Sequence, residues 1–352
     1  MLSKILKTSL CFIFMTCWVT TAQAFKGPLE TPASMKLHAT TSQLTAVTRN
    51  GNRLAAVGAR GLVLLSDDNG KKWQQVAVPV SSNLVSVQFP VPDQGWAVGH
   101  DGVVLHSGDG GRTWSKQLDG NQVAKIMLKH YEKLAAEGDA AASKILPDIQ
   151  RILQEGADKP FMDVWFLDEK EGFVAGAFNL IMHTTDAGKT WVPLFERTDN
   201  PKNLHIYALK GVGKEVYLAG EMGMLRRWDR ASQRFVTIAS PYKGTFFGLL
   251  AKDTTILAFG LRGNAFRSSD RGNTWRKLNT NTTAGLTGGT FLDDGRAVLV
   301  SQDGQVLVID VGSETFVPAK VSSPMAFSSV APAGKNGIVA VGSRGVITES
   351  LK

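Results

Sequence analysis

Ser107-Gly-Asp109-Gly-Gly111-Arg-Thr-Trp114 is the stretch on which the fold turns. The Asp109 carboxylate can accept backbone N–H bonds inside so tight a turn, Gly111 permits a left-handed corner, and Trp114 packs the turn onto its own sheet. The pattern recurs in register as Ser66 to Trp73, with Asp68, Gly70 and Trp73 at its key places, as Thr184 to Trp191 (Asp186, Gly188, Trp191), and as Ser268 to Trp275 (Asp270, Gly272, Trp275). Decayed copies fall at Asp229 to Phe235 and Asp310 to Phe316. These are Asp boxes, and one would be a weak signal. Four in register mark a repeat.

Working outward, each box is preceded by an apolar strand ending in a small residue: RLAAVG (53–58), GWAVG (95–99), GFVAG (172–176), EVYLAG (215–220), TILAFG (255–260), RAVLVS (296–301) and GIVAVG (337–342). Their last residues, Gly58, Gly99, Gly176, Gly220, Gly260, Ser301 and Gly342, are 40 to 44 apart except where Gly99 to Gly176 spans 77. Seven units of four short strands at about 40–45 residues are the signature of propeller blades. The fold class is therefore all-β, a seven-bladed β-propeller. After each small residue comes a four-place turn, such as Gly58-Ala-Arg60-Gly61, Gly176-Ala-Phe178-Asn179 or Gly220-Glu221-Met222-Gly223, whose last Gly or Asn tolerates positive φ. The seventh unit stops soon after its third strand, so residues 35–41 are expected to supply the missing outer strand and close the ring.

The long interval is an insertion at 115–160. Val123 to Ala136 and Ala140 to Leu153 read as two helices separated by Gly138-Asp139, with Pro147 expected to kink or break the second. The insertion is thus a small helical hairpin between blades two and three. Because it follows an outer strand and precedes an inner one, it belongs on the face of the four-place turns. The Asp boxes belong on the other.

At the N-terminus, Lys4 and Lys7, the apolar run Leu10 to Val19 and Ala22-Gln-Ala24 form a secretory signal, residues 1–24, with the mature propeller at 25–352. Its apolar core is about half of the roughly 20 residues a spanning helix needs. Both cysteines, Cys11 and Cys17, lie in this segment, leaving no thiol for a disulfide, metal or nucleophile in the mature chain, and neither sits where a lipid-attachment cysteine would. The whole chain has a formal charge of +8, and loss of the signal removes two lysines and no acids. Its basic residues are spread through the repeat, against a nucleic-acid partner. The expected product is a soluble periplasmic or extracellular protein, a monomer, with no cofactor and no metal.

The repeats resemble the BNR/Asp-box superfamily, and the Gly-x-Arg-Gly turns paired with S-x-D-x-G-x-T-W boxes most resemble the photosystem II stability/assembly factor family. That resemblance implies a non-enzymatic, extracytoplasmic propeller that binds a membrane-protein intermediate through a basic patch. The insertion and the absence of a lipid-attachment cysteine depart from the family pattern. In this chain Arg60, Arg262 and Arg344 share the third place of their turns in units one, five and seven, a guanidinium cluster suited to carboxylates or phosphates. His100 and Glu221, one place earlier in theirs, would enlarge the surface. Asp101 and Asp303 at the equivalent third place show that the position also accepts a solvated acid. A sialidase-like glycoside hydrolase or a glycan-binding propeller is the alternative. It requires a tyrosine nucleophile and paired carboxylates, for which Tyr242 alone lies in a loop on the turn face. His106 and His183, at equivalent strand positions, read as packing residues.

Overall fold

The computed structural model describes residues 26–351, so the proposed signal lies outside the described residues. Seven antiparallel sheets follow one another along the chain, six of four strands and one of three. Blade two shows the pattern, with an inner strand Leu84–Val91, then Gln94–Gly99, Val104–Ser107 and an outer strand Ser115–Leu118. Apolar side chains from adjacent sheets interdigitate between blades, as where Val57, Val63 and Leu65 of blade one meet Leu84, Ala97 and Leu105 of blade two.

The small residue closing each second strand has a steric cause. At Gly58, Gly99, Gly176, Gly220, Gly260 and Gly342 the chain entering the inner strand crosses so closely that a Cβ would overlap its carbonyl oxygen. The following N–H bonds to that same oxygen, for example Ala59 to Gln43 and His100 to Asn83 at 3.2 and 2.8 Å. In blade six Ser301 occupies this place, and its hydroxyl accepts the Gln305 N–H at 2.9 Å.

The Asp boxes form a four-bond lattice on the opposite face. In blade two the Ser107 hydroxyl accepts the Gly111 N–H and donates to Asp109, both at 2.8 Å, while Asp109 accepts the Thr113 N–H and hydroxyl at 2.9 and 2.7 Å. Trp114 Nε1 donates to the Gly111 carbonyl at 2.9 Å. The four carboxylate and hydroxyl bonds recur around Asp186 and Asp270, but Trp191 and Trp275 Nε1 are buried without a partner. Around Asp68 a lysine replaces the threonine and the last bond is lost. Each box also reaches the preceding blade: Gly111 abuts Leu65, Gly188 abuts Gln117, and Gly70 abuts Val339 of blade seven.

Two expectations are corrected. Residues 35–41 form no strand, and blade seven has three: Phe327–Ala333, Gly337–Gly342 and Gly345–Ser350. The N-terminal segment spends its hydrogen bonds on blade one instead, with Ala33 N–H on Val78 and Lys36 N–H on the Gln75 side chain. A short 3-10 turn, Ala39–Thr41, then carries it past Gly345 into the first inner strand. Closure between blades seven and one rests on apolar packing of Leu44, Leu54 and Leu64 against Val339 and Val341, and on Thr348 Oγ1 donating to the Gly70 carbonyl at 3.1 Å. The second correction is that the inserted helix continues unbroken through Pro147.

Candidate partner-binding face

The insertion consists of α1 (Gly120–Ala136) and α2 (Ala140–Glu155). Asp119 and Gln122 form a reciprocal capping box that starts α1 directly after the outer strand of blade two. Gly120 lies against Gly102 of that blade's four-place turn, which puts the hairpin on the turn face. Val123, Met127, Ile149 and Ile152 share a core with Val98, Phe161 and Val164 of blades two and three, so the helices are part of the ring's packing. Tyr131, fully buried, donates to Glu196 at 2.5 Å and accepts the Phe195 N–H at 3.1 Å. Burial, then the Glu196 charge, pushes its hydroxyl pKa far up, keeping it a neutral donor.

The turns divide into two geometries. In blades one to five the third and fourth places both lie in the left-handed region: Arg60 (φ 58), Asp101, Phe178 (φ 53), Met222 (φ 51) and Arg262 (φ 56) each precede a positive-φ Gly or Asn. In blades six and seven only the fourth-place glycine does, so Arg344 sits in a two-residue hairpin between the paired Gly342 and Gly345. Arg60, Arg262 and Arg344 are all exposed on one face, and among the described residues none is in an ion pair. The Arg344 guanidinium donates to the Pro324 carbonyl. The face also holds exposed His100, whereas Glu221 is half-buried and accepts the His205 N–H at 2.8 Å. Glu221 is therefore a brace for the chain entering blade four as well as part of the surface.

Residue-level reading overlooked an apolar sector. Phe178, Met222 and Leu261 are 53, 58 and 38% exposed on the turns of blades three, four and five. The signal was present, since third-place residues run Arg, Asp, Phe, Met, Arg, Asp, Arg around the ring. The two histidines pack as read: His106 bonds Gln94 at 2.8 Å, His183 stacks on Phe173, and burial lowers both pKa values. Tyr242 is tied to the Leu261 carbonyl at 3.2 Å, and Asp303 to the Ser301 hydroxyl.

Fold and face together define a one-chain, seven-bladed Asp-box propeller with a charged and partly apolar turn face. The chain belongs to the photosynthesis system II assembly factor YCF48 family, whose model matches residues 33–108, 66–139 and 148–330. It is 24% identical over 147 residues to the photosystem II assembly lipoprotein Ycf48 of Synechococcus sp. (strain CC9902), an alignment that spans 40% of this chain and 43% of that protein. Among solved structures, YCF48 bound to a D1 peptide superposes with a TM-score of 0.64 at 16% identity, covering 93% of this chain and 98% of that one. YCF48 from Cyanidioschyzon merolae gives 0.64 at 17% identity, covering 91 and 99%. The WD40 propeller domain of Doa1 gives 0.63 at 12%, covering 92 and 96%, so these superpositions speak to fold alone.

Proposed function

We propose that the protein is an exported, non-enzymatic assembly scaffold that holds a membrane protein, or an intermediate in its assembly, through the turn face. The observation that carries this reading is the set of three exposed arginines without ion-pair partners, gathered on the face that also bears the inserted hairpin. Exposed guanidinium forks without carboxylate partners on one surface suit partner carboxylates by bidentate, charge-assisted bonds. Family membership and the relative solved with a D1 peptide support a peptide segment as the thing held. The signal at 1–24 supports export, and no described helix is long and apolar enough to cross a membrane.

The non-enzymatic reading is supported by where the acids are spent. Asp68, Asp109, Asp186 and Asp270 are hydrogen-bonded into structural turns on the far face, and Glu221 on the near one braces backbone. The test is crosslinking and co-purification from the native envelope with wild type and the Arg60→Ala, Arg262→Ala, Arg344→Ala triple variant. Recovery of a membrane protein by wild type alone is expected. Equal recovery by both would contradict the role given to the arginines.

A further inference from the structure

From Phe178 in the apolar sector a run of ring contacts extends inward. Phe178 meets His205 edge to face at 4.5 Å between centroids, His205 meets Tyr207 at 6.1 Å, and Tyr207 meets Phe247 at 5.6 Å. This ladder of four rings runs from a groove beside α2 to the mouth of the central channel. The groove, about 570 Å³, is lined by Ile152 and Glu155 of α2 and by Phe178, Leu204 and His205, with the Lys159 ammonium in it 5.9 Å from the Phe178 ring centroid. Tyr207 and Phe247, on inner strands, line the channel of about 500 Å³.

The ladder is held in place. The Phe178 N–H donates to His205 Nδ1 at 2.8 Å, just as the Arg60 N–H donates to Asn83 in blade one. The ring orientation of His205 is thereby fixed, and its neutral form carries the proton on Nε2. The left-handed backbone at residue 178 is common to five turns and has a structural cause, whereas a large apolar side chain there is a choice. Blades one and five put arginine at the same place, where it is solvated at no cost. Exposed Phe178 and Met222 give up the burial that large apolar side chains ordinarily gain in a monomer.

Continuing around the ring, Leu261 of the apolar sector is followed directly by Arg262, with Asp303 next and Arg344 and Arg60 beyond. Resting on the reading of this face as the partner site, we propose that it recognises an extended segment of a partner protein that is two-part in chemistry. Aromatic or large aliphatic side chains lie on the Phe178–His205–Tyr207–Phe247 ladder, and acidic side chains reach the arginines. Charge supplies orientation and encounter, and the ladder supplies the desolvated anchor that typically dominates affinity. The inserted hairpin, which lines the groove, contributes through α2.

The test is selection from a random dodecapeptide library displayed on phage, with the complete mature protein as bait, followed by fluorescence anisotropy on the enriched peptides. Enriched sequences should combine Asp or Glu with Phe, Tyr, Trp or Leu. Phe178→Ala should weaken them roughly tenfold, and Phe178→Leu by no more than about threefold. Thermal melts of both variants, and the parallel substitution Met222→Ala in the next blade, separate lost anchoring from lost folding. Acidic peptides without apolar residues, unaffected by Phe178→Ala but lost in the triple arginine variant, would overturn this inference and leave the face as the partner site. Enrichment indifferent to both sets of substitutions, or no enrichment, would overturn both.

Discussion

At the scale of single residues, the repeat is written in positions where only one chemistry fits. Gly99 has an extended backbone, so its requirement is steric: a methyl group would overlap the Asn83 carbonyl that the His100 N–H needs. Gly99→Ala should therefore cost about 1–3 kcal/mol, the usual range for forced overpacking, and equilibrium denaturation that shows no loss would refute the crossing as the reason for glycine. The Asp boxes predict a pH dependence. Hydrogen bonds from the Thr274 hydroxyl and N–H and then the Ser268 hydroxyl lower the Asp270 pKa from 3.8 to about 2. For Asp109 burial is the largest single influence and pushes upward, yet bonds from Thr113 and Ser107 outweigh it and also bring the pKa to about 2. A folded-state pKa below the unfolded one means the stabilisation is complete above about pH 4 and is lost as pH falls toward 2. The melting temperature should fall through that window, and the Asp109→Asn, Asp270→Asn double variant should show a flatter slope. Identical slopes would contradict the assignment. Glycine, aspartate and tryptophan at these places were legible because each motif is local. Serine's part was not: the Ser107 hydroxyl bonds both the Asp109 carboxylate and the Gly111 N–H, a role its small polar side chain does not announce.

At the scale of elements, the hairpin shows what periodicity can and cannot deliver. Helical spacing placed both helices within a few residues, and the capping box at Asp119 and Gln122 explains why α1 begins earlier than its first apolar residue. The expected break at Pro147 did not occur. Removing one backbone bond costs a helix some 3 kcal/mol, and burial of Ile149 and Ile152 after the proline, with Ala142 before it, holds the axis together. Tyr131 is the joint between hairpin and ring. Tyr131→Phe would leave the Phe195 N–H unpaired in the core and remove a donor from Glu196, at a cost of about 1–3 kcal/mol. Urea denaturation together with hydrogen exchange of α1 amides checks this. Unchanged stability with unchanged α1 protection would mean the hydroxyl is dispensable. The exposure of Phe178 and Met222 was not legible for a physical reason: the sequence puts both at the third place of their turns, but only the left-handed backbone there turns these apolar side chains to solvent.

At the scale of the molecule, the number of blades, their order and the face of the insertion followed from the repeat period, because a ring of like units leaves little freedom in how they are joined. Closure did not follow. Whether a terminal segment completes the last sheet depends on competition between two edges, and blade one won the bonds of Ala33 and Lys36. The third strand of blade seven, Gly345–Ser350, is consequently the one third strand among the described residues without an outer neighbour. Its amides should exchange faster than those of Val104–Ser107, and equal protection would show that a fourth strand covers it in solution. The central claim, that the turn face is where a partner is held, is tested most directly by site-specific photocrosslinking in the native envelope. A crosslinking residue is placed at position 60 or 178 on the turn face, or at position 112 in an Asp box on the far face. If a partner is held there, positions 60 and 178 give one discrete membrane-protein adduct and position 112 gives none. An adduct from 112 with none from the turn face would contradict the claim.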